Sequence, residues 1–334
     1  MNRVPAQPLV SVVVPTYKRP DLLARCLEAL ARQCYCLDDY EVLVCDDAAS
    51  SATERQVGEL RQAWGNRPAL RYLPVTGTRG PAGARNLGWR SAKAEIIAFT
   101  DDDTIPEPEW LGNGVRALAP QLAAVAGATE MPIPDPPSDY ERDAAGLTRS
   151  EFITANCFVR RSALLAVGGF DPRYAMAWRE DSDLHFALLD HGLKVRREPR
   201  ARVLHPLRGQ RFAAGLGMQK KAMYDMLLRR KYPSLYRRRI RSTAWRYYLV
   251  VAAAFVSAVA LAALGHAQAA LAAAVLWAGL SVNFFVRRLR GTRRGVREVI
   301  DLAVTSACIP LLSIWWRCVG WVRYAGVRSA GRRA

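Results

Sequence analysis

Ile96-Ile97-Ala98-Phe99-Thr100-Asp101-Asp102-Asp103 is the stretch that organises the rest of this 334-residue chain. An apolar, β-preferring run reads as a buried strand, and three carboxylates follow it without a break. Open α/β sheets bind ligands beyond the carboxyl ends of their strands, so these aspartates are expected at a ligand site. Several anions gathered there are costly unless a cation joins them. Asp101 and Asp103 suit a hard divalent ion, Mg2+ or Mn2+, which would in turn neutralise a diphosphate. An acidic surface turn is the plain alternative.

Upstream, the same strand-then-turn unit repeats. Val10 to Val14 is a β-branched run, and after Pro20 and Asp21 the residues Leu22, Leu23, Cys26, Leu27 and Leu30 recur at helical spacing. Tyr40 to Cys45, a polar helix over 52–63, Leu70 to Leu73 and a helix from Pro81 to Ala92 continue the alternation. This order predicts right-handed βαβ crossovers and an α/β fold, a mostly parallel sheet flanked by helices. Asp46 and Asp47 end a strand and should reach the same edge, where carboxylates accept hydrogen bonds from a ribose or a base N–H. A helix N-cap is the alternative for that pair. Gly80-Pro81-Ala82-Gly83-Ala84-Arg85-Asn86 opens a helix with small residues, which places Arg85, one turn in, to meet a phosphate. The string is neither a GxGxxG fingerprint nor a P-loop.

Downstream, the regularity weakens after Ala123, and Met131 to Ser138, with four prolines, reads as a loop. Phe152 to His205 reads as a second half built onto the same sheet. Trp178-Arg179-Glu180-Asp181-Ser182-Asp183-Leu184 heads an apolar-periodic helix. Glu180 or Asp181 there is either a cap or an acceptor-side base, and Trp178 either stacks on an acceptor or fills the core. His205 closes the strand-like Arg202 to Leu204, with a structural histidine as the alternative.

Charge separates the chain into two regions. Of 48 Lys/Arg and 30 Asp/Glu, 21 and 3 lie beyond residue 215, so the first 215 residues are balanced and the rest carries the whole +18. These basic residues flank long apolar runs, the distribution expected beside an anionic membrane and not for a nucleic-acid binder. In 216–246, Met218, Ala222, Met226 and Leu227 could line one face of a helix in the headgroup layer, with a solvated basic helix as the alternative. Residues 247–286 contain no Asp, Glu, Lys or Arg, length enough for two spans of roughly 20 residues. Gly265 to Gln268 supplies the break. Basic residues on both outer flanks put both ends of this hairpin on the cytoplasmic side. A third apolar run, Leu302 to Trp316, is short and is followed by Arg317, so a helix that dips or lies flat is expected there.

Seven cysteines without a CxxC pair read as reduced thiols. Met1 to Pro8 does not resemble a secretory signal, so the balanced half is expected in the cytoplasm.

Val10 to Tyr17 (VSVVVPTY), Val42 to Ser50 (VLVCDDAAS), Gly83 to Gly88 (GARNLG), Phe99 to Asp103 (FTDDD), Val167 to Asp171 (VGGFD) and Glu180 to Leu184 (EDSDL) stand in an order that resembles family 2 glycosyltransferases. The resemblance covers residues 9–206, about three fifths of the chain. It implies the A-type glycosyltransferase fold, an inverting mechanism, a nucleotide-sugar donor, UDP-linked, and Mg2+ or Mn2+. By it, Thr16, Tyr17, Asp46 and Asp47 fall at nucleoside-binding positions, with Arg85 and Asp102 also on the donor side. Asp101 and Asp103 match the metal-binding DXD pair, with His205 a further metal or diphosphate contact. Asp181 matches the general base, with Glu180 and Trp178 toward the acceptor. No QxxRW motif of processive synthases is present, which favours addition of a single sugar.

The expected organisation is a cytoplasmic catalytic domain over 1–215, a basic interfacial linker over 216–246, a transmembrane hairpin over 247–286, and a basic, partly apolar segment over 287–334. The acceptor is expected to be a membrane lipid or lipid-linked glycan at the cytoplasmic face of a bacterial inner membrane. A membrane-anchored nucleotidyltransferase would also use paired aspartates and a metal, but would release pyrophosphate. A non-catalytic sugar-nucleotide-binding scaffold would keep the fold and lose the carboxylates.

Overall fold

The computed structural model describes residues 7–209, 211–240 and 244–330. The chain divides into two compact units, residues 1–132 with 147–206 and residues 133–146 with 207–334.

The first unit runs β1 (Val10–Thr16), α1 (Pro20–Ala31), β2 (Tyr40–Asp46), α2 (Ser51–Ala63), β3 (Ala69–Pro74), α3 (Pro81–Ser91), β4 (Ile96–Thr100), β5 (Ile105–Pro106), α4 (Trp110–Ala117) and β6 (Ala124–Glu130). After α5 (Asp139–Ala144), which belongs to the second unit, come β7 (Asn156–Arg160), α6 (Arg161–Val167), α7 (Glu180–Asp190) and β8 (Val195–Leu204). The strands form one sheet in the order β3-β2-β1-β4-β7-β6-β8-β5.

The first four strands are parallel, as the alternation predicts. β7 enters antiparallel between β4 and β6, and β5 pairs antiparallel with β8, so the second half is mixed. The excursion between β6 and β7 leaves and rejoins the sheet at one edge, which obliges β7 to run the other way. The carboxyl ends of β1, β2, β4, β6 and β8 therefore share an edge with the start of β7. Thr16 stands opposite Asp46 in the register, and Thr100 opposite Asn156.

Both sheet faces are covered, because alternate residues of β1 belong to different apolar clusters. Val10, Val12 and Val14 pack with Leu23, Leu27, Tyr40 and Trp110, whereas Val13 packs with Leu43, Trp89, Phe99 and Leu184. Each fully buried Val or Leu contributes about 1.5–3 kcal/mol to holding the edge in place. The seven cysteines are free thiols, with Cys26, Cys45 and Cys157 inside this core.

The second unit contains α5, α8 (Ala214–Met218), α9 (Ala222–Lys231), α10 (Pro233–Arg239), α11 (Ala244–Ala263), α12 (Ala267–Leu289) and α13 (Val296–Arg323). The proline-rich run over 131–138 is irregular, and Ser138 and Glu141 then form a reciprocal capping box that starts α5. Asp139 in α5 is tied to Arg288 of α12 at 2.7 Å, and Glu141 to Arg293 at 2.9 Å.

The single interfacial helix expected over 216–246 is instead three pieces. A 3-10 turn at Gln219–Lys221 separates α8 from α9, and α9 buries every residue from Ala222 to Leu228, which a helix lying half in lipid would not do. Residues 241–243 lie outside the described residues.

α11 and α12 form the expected antiparallel pair. Tyr247 donates to the Leu280 carbonyl at 2.6 Å, Phe255 meets Trp277, and Gly265 turns the chain at φ +79°. α13 is longer than its apolar run, a continuous helix of 28 residues with Pro310 inside it. By length and composition α11, α12 and α13 are each long and apolar enough to cross a membrane.

Candidate active site

The shared strand edge gathers most of the residues singled out from the sequence, but sorts them into open and closed positions. Thr16, the last residue of β1, is buried and donates to Asp102 at 2.7 Å. Arg19 meets the other Asp102 oxygen at 3.0 Å and Asp103 at 3.7 Å. Asp102 is fully enclosed, and burial pushes its carboxyl up to about 7 even though Arg19 and Thr16 pull it down. It therefore braces the β4 end against the β1 end. Tyr17, half exposed beside Thr16, is open to a ligand.

The acidic pair after β2 divides in the same way. Asp46 is buried and spent on its own loop, accepting from the backbone N–H groups of Ala48 and Ser50 and from the Tyr72 hydroxyl. Both of its oxygens are thus engaged within the fold, at the position where a nucleoside contact is expected. Asp47 keeps Oδ2 on the Gly80 N–H at 2.9 Å, while its Oδ1 is buried with no hydrogen-bond partner among the described residues. An orphaned carboxylate oxygen of this kind is a ready acceptor for a ligand N–H or O–H. Gly80 makes the contact possible, with φ +90° and a position where a Cβ would fall 2.4 Å from the Ala175 carbonyl oxygen.

Arg85 lies in the first turns of α3 and is only 3% exposed. A guanidinium so deeply buried must be paired, and its two Nη atoms reach Asp101 at 2.7 Å and Glu180 at 3.3 Å. Arg85, for which a phosphate contact is expected, thus bridges the β4 edge and the start of α7. Glu180 is correspondingly buried, and burial with the neighbouring Asp181 charge pushes it up to about 8.

Asp181 is the half-buried member of this group. Thr154, on the approach to β7, donates its hydroxyl to Asp181 Oδ1. Burial raises the Asp181 carboxyl above its ordinary value, while Arg85 and the Thr154 hydroxyl act to lower it. The next acid, Asp183, is buried and accepts from Tyr174 at 3.1 Å, a contact internal to the fold. Arg179 adopts φ +72° to set the helix start and lays its guanidinium 4.9 Å from the ring centroid of Trp178, which is 39% exposed.

Asp101 and Asp103 do not stand as a symmetric pair. Asp101 turns to Arg85, while Asp103 approaches His205 Nε2 at 3.6 Å. Among the described residues no three His, Cys, Asp or Glu side chains converge as a metal site. A carboxylate and an imidazole are nonetheless both metal-ligand types, and Asp103 with His205 would suit a divalent ion that supplies charge neutralisation at this edge. Arg19 and Thr154 have roles that the sequence reading missed, for no local motif marks either.

Comparison with known proteins agrees with this architecture. The family described as Glycosyl transferase family 2 matches residues 11–176, and Glycosyl transferase family group 2 matches residues 142–286. The chain is 31% identical over 173 residues to Glycosyltransferase AglE of Haloferax volcanii, covering 49% of this chain and 56% of that protein. It is 31% identical over 105 residues to the Escherichia coli UDP-Glc:alpha-D-GlcNAc-diphosphoundecaprenol beta-1,3-glucosyltransferase WfgD, covering 31% of this chain and 37% of that one. It therefore spans about half, or less, of the length of these relatives. Among solved structures, the mannosyltransferase PcManGT from Pyrobaculum calidifontis in complex with GDP-Man and Mn2+ superposes with a TM-score of 0.56 at 23% identity, over 90% of this chain and 87% of that one, which establishes the fold. With family matches running together over residues 11–286, on an A-type glycosyltransferase fold, the chain belongs to the family 2 glycosyltransferases.

Proposed function

We propose that the chain transfers one sugar from a nucleoside-diphosphate donor, UDP-linked, to a membrane lipid or lipid-linked glycan, with inversion at the anomeric carbon. The observation that carries this is Asp181: a half-buried carboxylate at the start of α7, oriented by Thr154 and near enough to Asp101 of the β4 edge to feel its charge. Asp181 takes the proton of an acceptor hydroxyl as that oxygen attacks the sugar carbon, and the nucleoside diphosphate departs from the opposite face. Asp47 and Tyr17 hold the nucleoside, and Trp178 offers a ring to the acceptor. Asp103 and His205, with Asp101, would hold Mg2+ or Mn2+, which when bound offsets the charge of the departing diphosphate. The named lipid-linked substrate of the WfgD relative supports the acceptor class.

The α11–α12 hairpin crosses the membrane, with its basic flanks and the catalytic unit on the cytoplasmic side of an inner membrane. Asp181→Asn is nearly isosteric but cannot accept the proton. Full-length protein with a panel of nucleotide sugars and membrane lipid extract, read by mass analysis of the product, should show transfer reduced by roughly 10²–10⁴-fold at nearly unchanged donor affinity. Undiminished transfer in this variant would remove Asp181 as the base.

A further inference from the structure

α13 carries its polarity inside out. Its buried stripe includes Thr305, Ser306, Ser313 and Gly320, while Ile300, Val304, Trp315 and Val322 are exposed. A helix with an apolar outer face has lipid as its solvent. Two orientations satisfy that, across the bilayer or along its surface, and the neighbouring chain decides between them.

The segment 213–231 accompanies α13 along most of its length. The Ala213 N–H bonds to Asp301, Gly215 lies against Thr305 and Ile309, and Asp225 pairs with Arg317 at 2.7 Å. Gly320 touches the Met223 backbone so closely that a Cβ would fall 2.5 Å from its carbonyl oxygen. Further on, Arg230 donates to the carbonyls of Trp321 and Ala325, and Lys220 lies over Trp316. Were α13 to cross the bilayer, it would carry Lys220, Lys221, Asp225 and Arg229 to Lys231 into or through the hydrocarbon. Its own uncharged stretch, Leu302 to Trp316, extends only about 22 Å as a helix, short of a core of about 30 Å. The α11–α12 pair meets neither obstacle, with no charge from Tyr247 to Val286.

We propose that α13 is not a third crossing. It lies in the plane of an anionic leaflet, with Ile300, Val304, Trp315 and Val322 seated in the acyl boundary and α8 and α9 on its water side. The partner is anionic because the accompanying chain supplies Lys220, Lys221 and Arg229 to Lys231 against Asp225, which Arg317 already pairs. This surface is independent of the transfer chemistry.

The test uses the full chain with Cys34, Cys36, Cys308 and Cys318 replaced by serine, and a fluorescent bimane on a single cysteine at Val304, Leu311 or Val322. In proteoliposomes rich in phosphatidylglycerol, a lipid spin label high on the acyl chain should quench all three positions more than one near the chain end. Strongest quenching of Leu311 by the deep label, with Val304 and Val322 shallow and reached by aqueous quenchers from opposite sides, would establish a crossing and overturn the proposal. Replacing phosphatidylglycerol by phosphatidylcholine should weaken the shallow quenching. Unchanged quenching would overturn the anionic preference.

Discussion

Arg85 shows how one side chain can couple two halves of a site. It touches Asp101 and Glu180 and lowers the Asp181 carboxyl through space. As the proposed base, Asp181 would work only when ionised, so transfer should fall as pH drops through its burial-raised pKa. Arg85→Met removes the cation that favours ionisation, and the acidic limb of kcat should therefore move to higher pH. Donor KM should rise as well, because Asp101 loses its anchor. Arg85→Lys keeps the charge but not the two-pronged reach, and should restore the limb more than the KM. A uniform drop in kcat with an unmoved limb would show that Arg85 acts through packing alone.

Asp101 to Asp103 and Asp181 were legible in the sequence because each sits in a short string whose chemistry is local. Which carboxylates open outward was not legible. Asp46 and Asp47 are adjacent and alike as letters, and only the fold decides that Tyr72 and two loop N–H groups occupy the first while the second keeps a free oxygen. Thr154 and Arg19 gain their meaning from partners distant in sequence.

At the scale of elements, periodicity located the strands and helices of the first half because buried parallel strands and amphipathic helices write different spacings. It did not reveal that β7 reverses, since direction is set by where the excursion over 131–155 returns, and loop letters do not encode that. The approach of α3 to the sheet rests on a single glycine. A Cβ at Gly88 would lie 2.4 Å from Val13 Cγ1 and 2.8 Å from Cys45 Sγ, between two fully buried strands. Gly88→Ala gains helix propensity but must push α3, and Arg85 with it, off β1 and β2. Such overpacking costs typically about 1–3 kcal/mol. Thermal unfolding should show a lowered Tm, and donor binding should weaken. A variant as stable as wild type would mean that α3 can shift freely.

For the whole molecule, the charge asymmetry and the apolar run announced a second unit with helices long and apolar enough to cross a membrane, but not that residues 133–146 belong to it. That segment reads as an ordinary proline-rich loop, and its membership depends on Asp139, Glu141 and Arg142 finding Arg288, Arg293 and the carbonyls of Arg288 and Arg290. The chain consequently passes between the units at 132–133, 146–147 and 206–207. The first and last of these lie within a few residues of Glu130 and His205, whose backbones are hydrogen-bonded at 2.8 Å.

Arg288 holds this inserted segment, bonding Asp139 through two nitrogens and Thr305 and Ser306 through a third. With both members of the ion pair about 15% exposed, removing Arg288 leaves the largely buried Asp139 with only the more exposed Arg142, at a cost below the roughly 3–5 kcal/mol of a wholly unpaired buried charge. Arg288→Met should therefore lower the Tm of the second unit in detergent. Because β6 and β8 continue covalently into the loosened segments, transfer to a membrane acceptor should fall more than slow hydrolysis of the donor, which needs only the strand-edge residues. Adding Asp139→Asn to Arg288→Met removes a carboxylate that Arg142 alone would have to balance, and should recover part of both losses. Equal loss of transfer and hydrolysis in the single variant, without recovery in the double, would show that the segment serves folding alone and not the positioning of the acceptor.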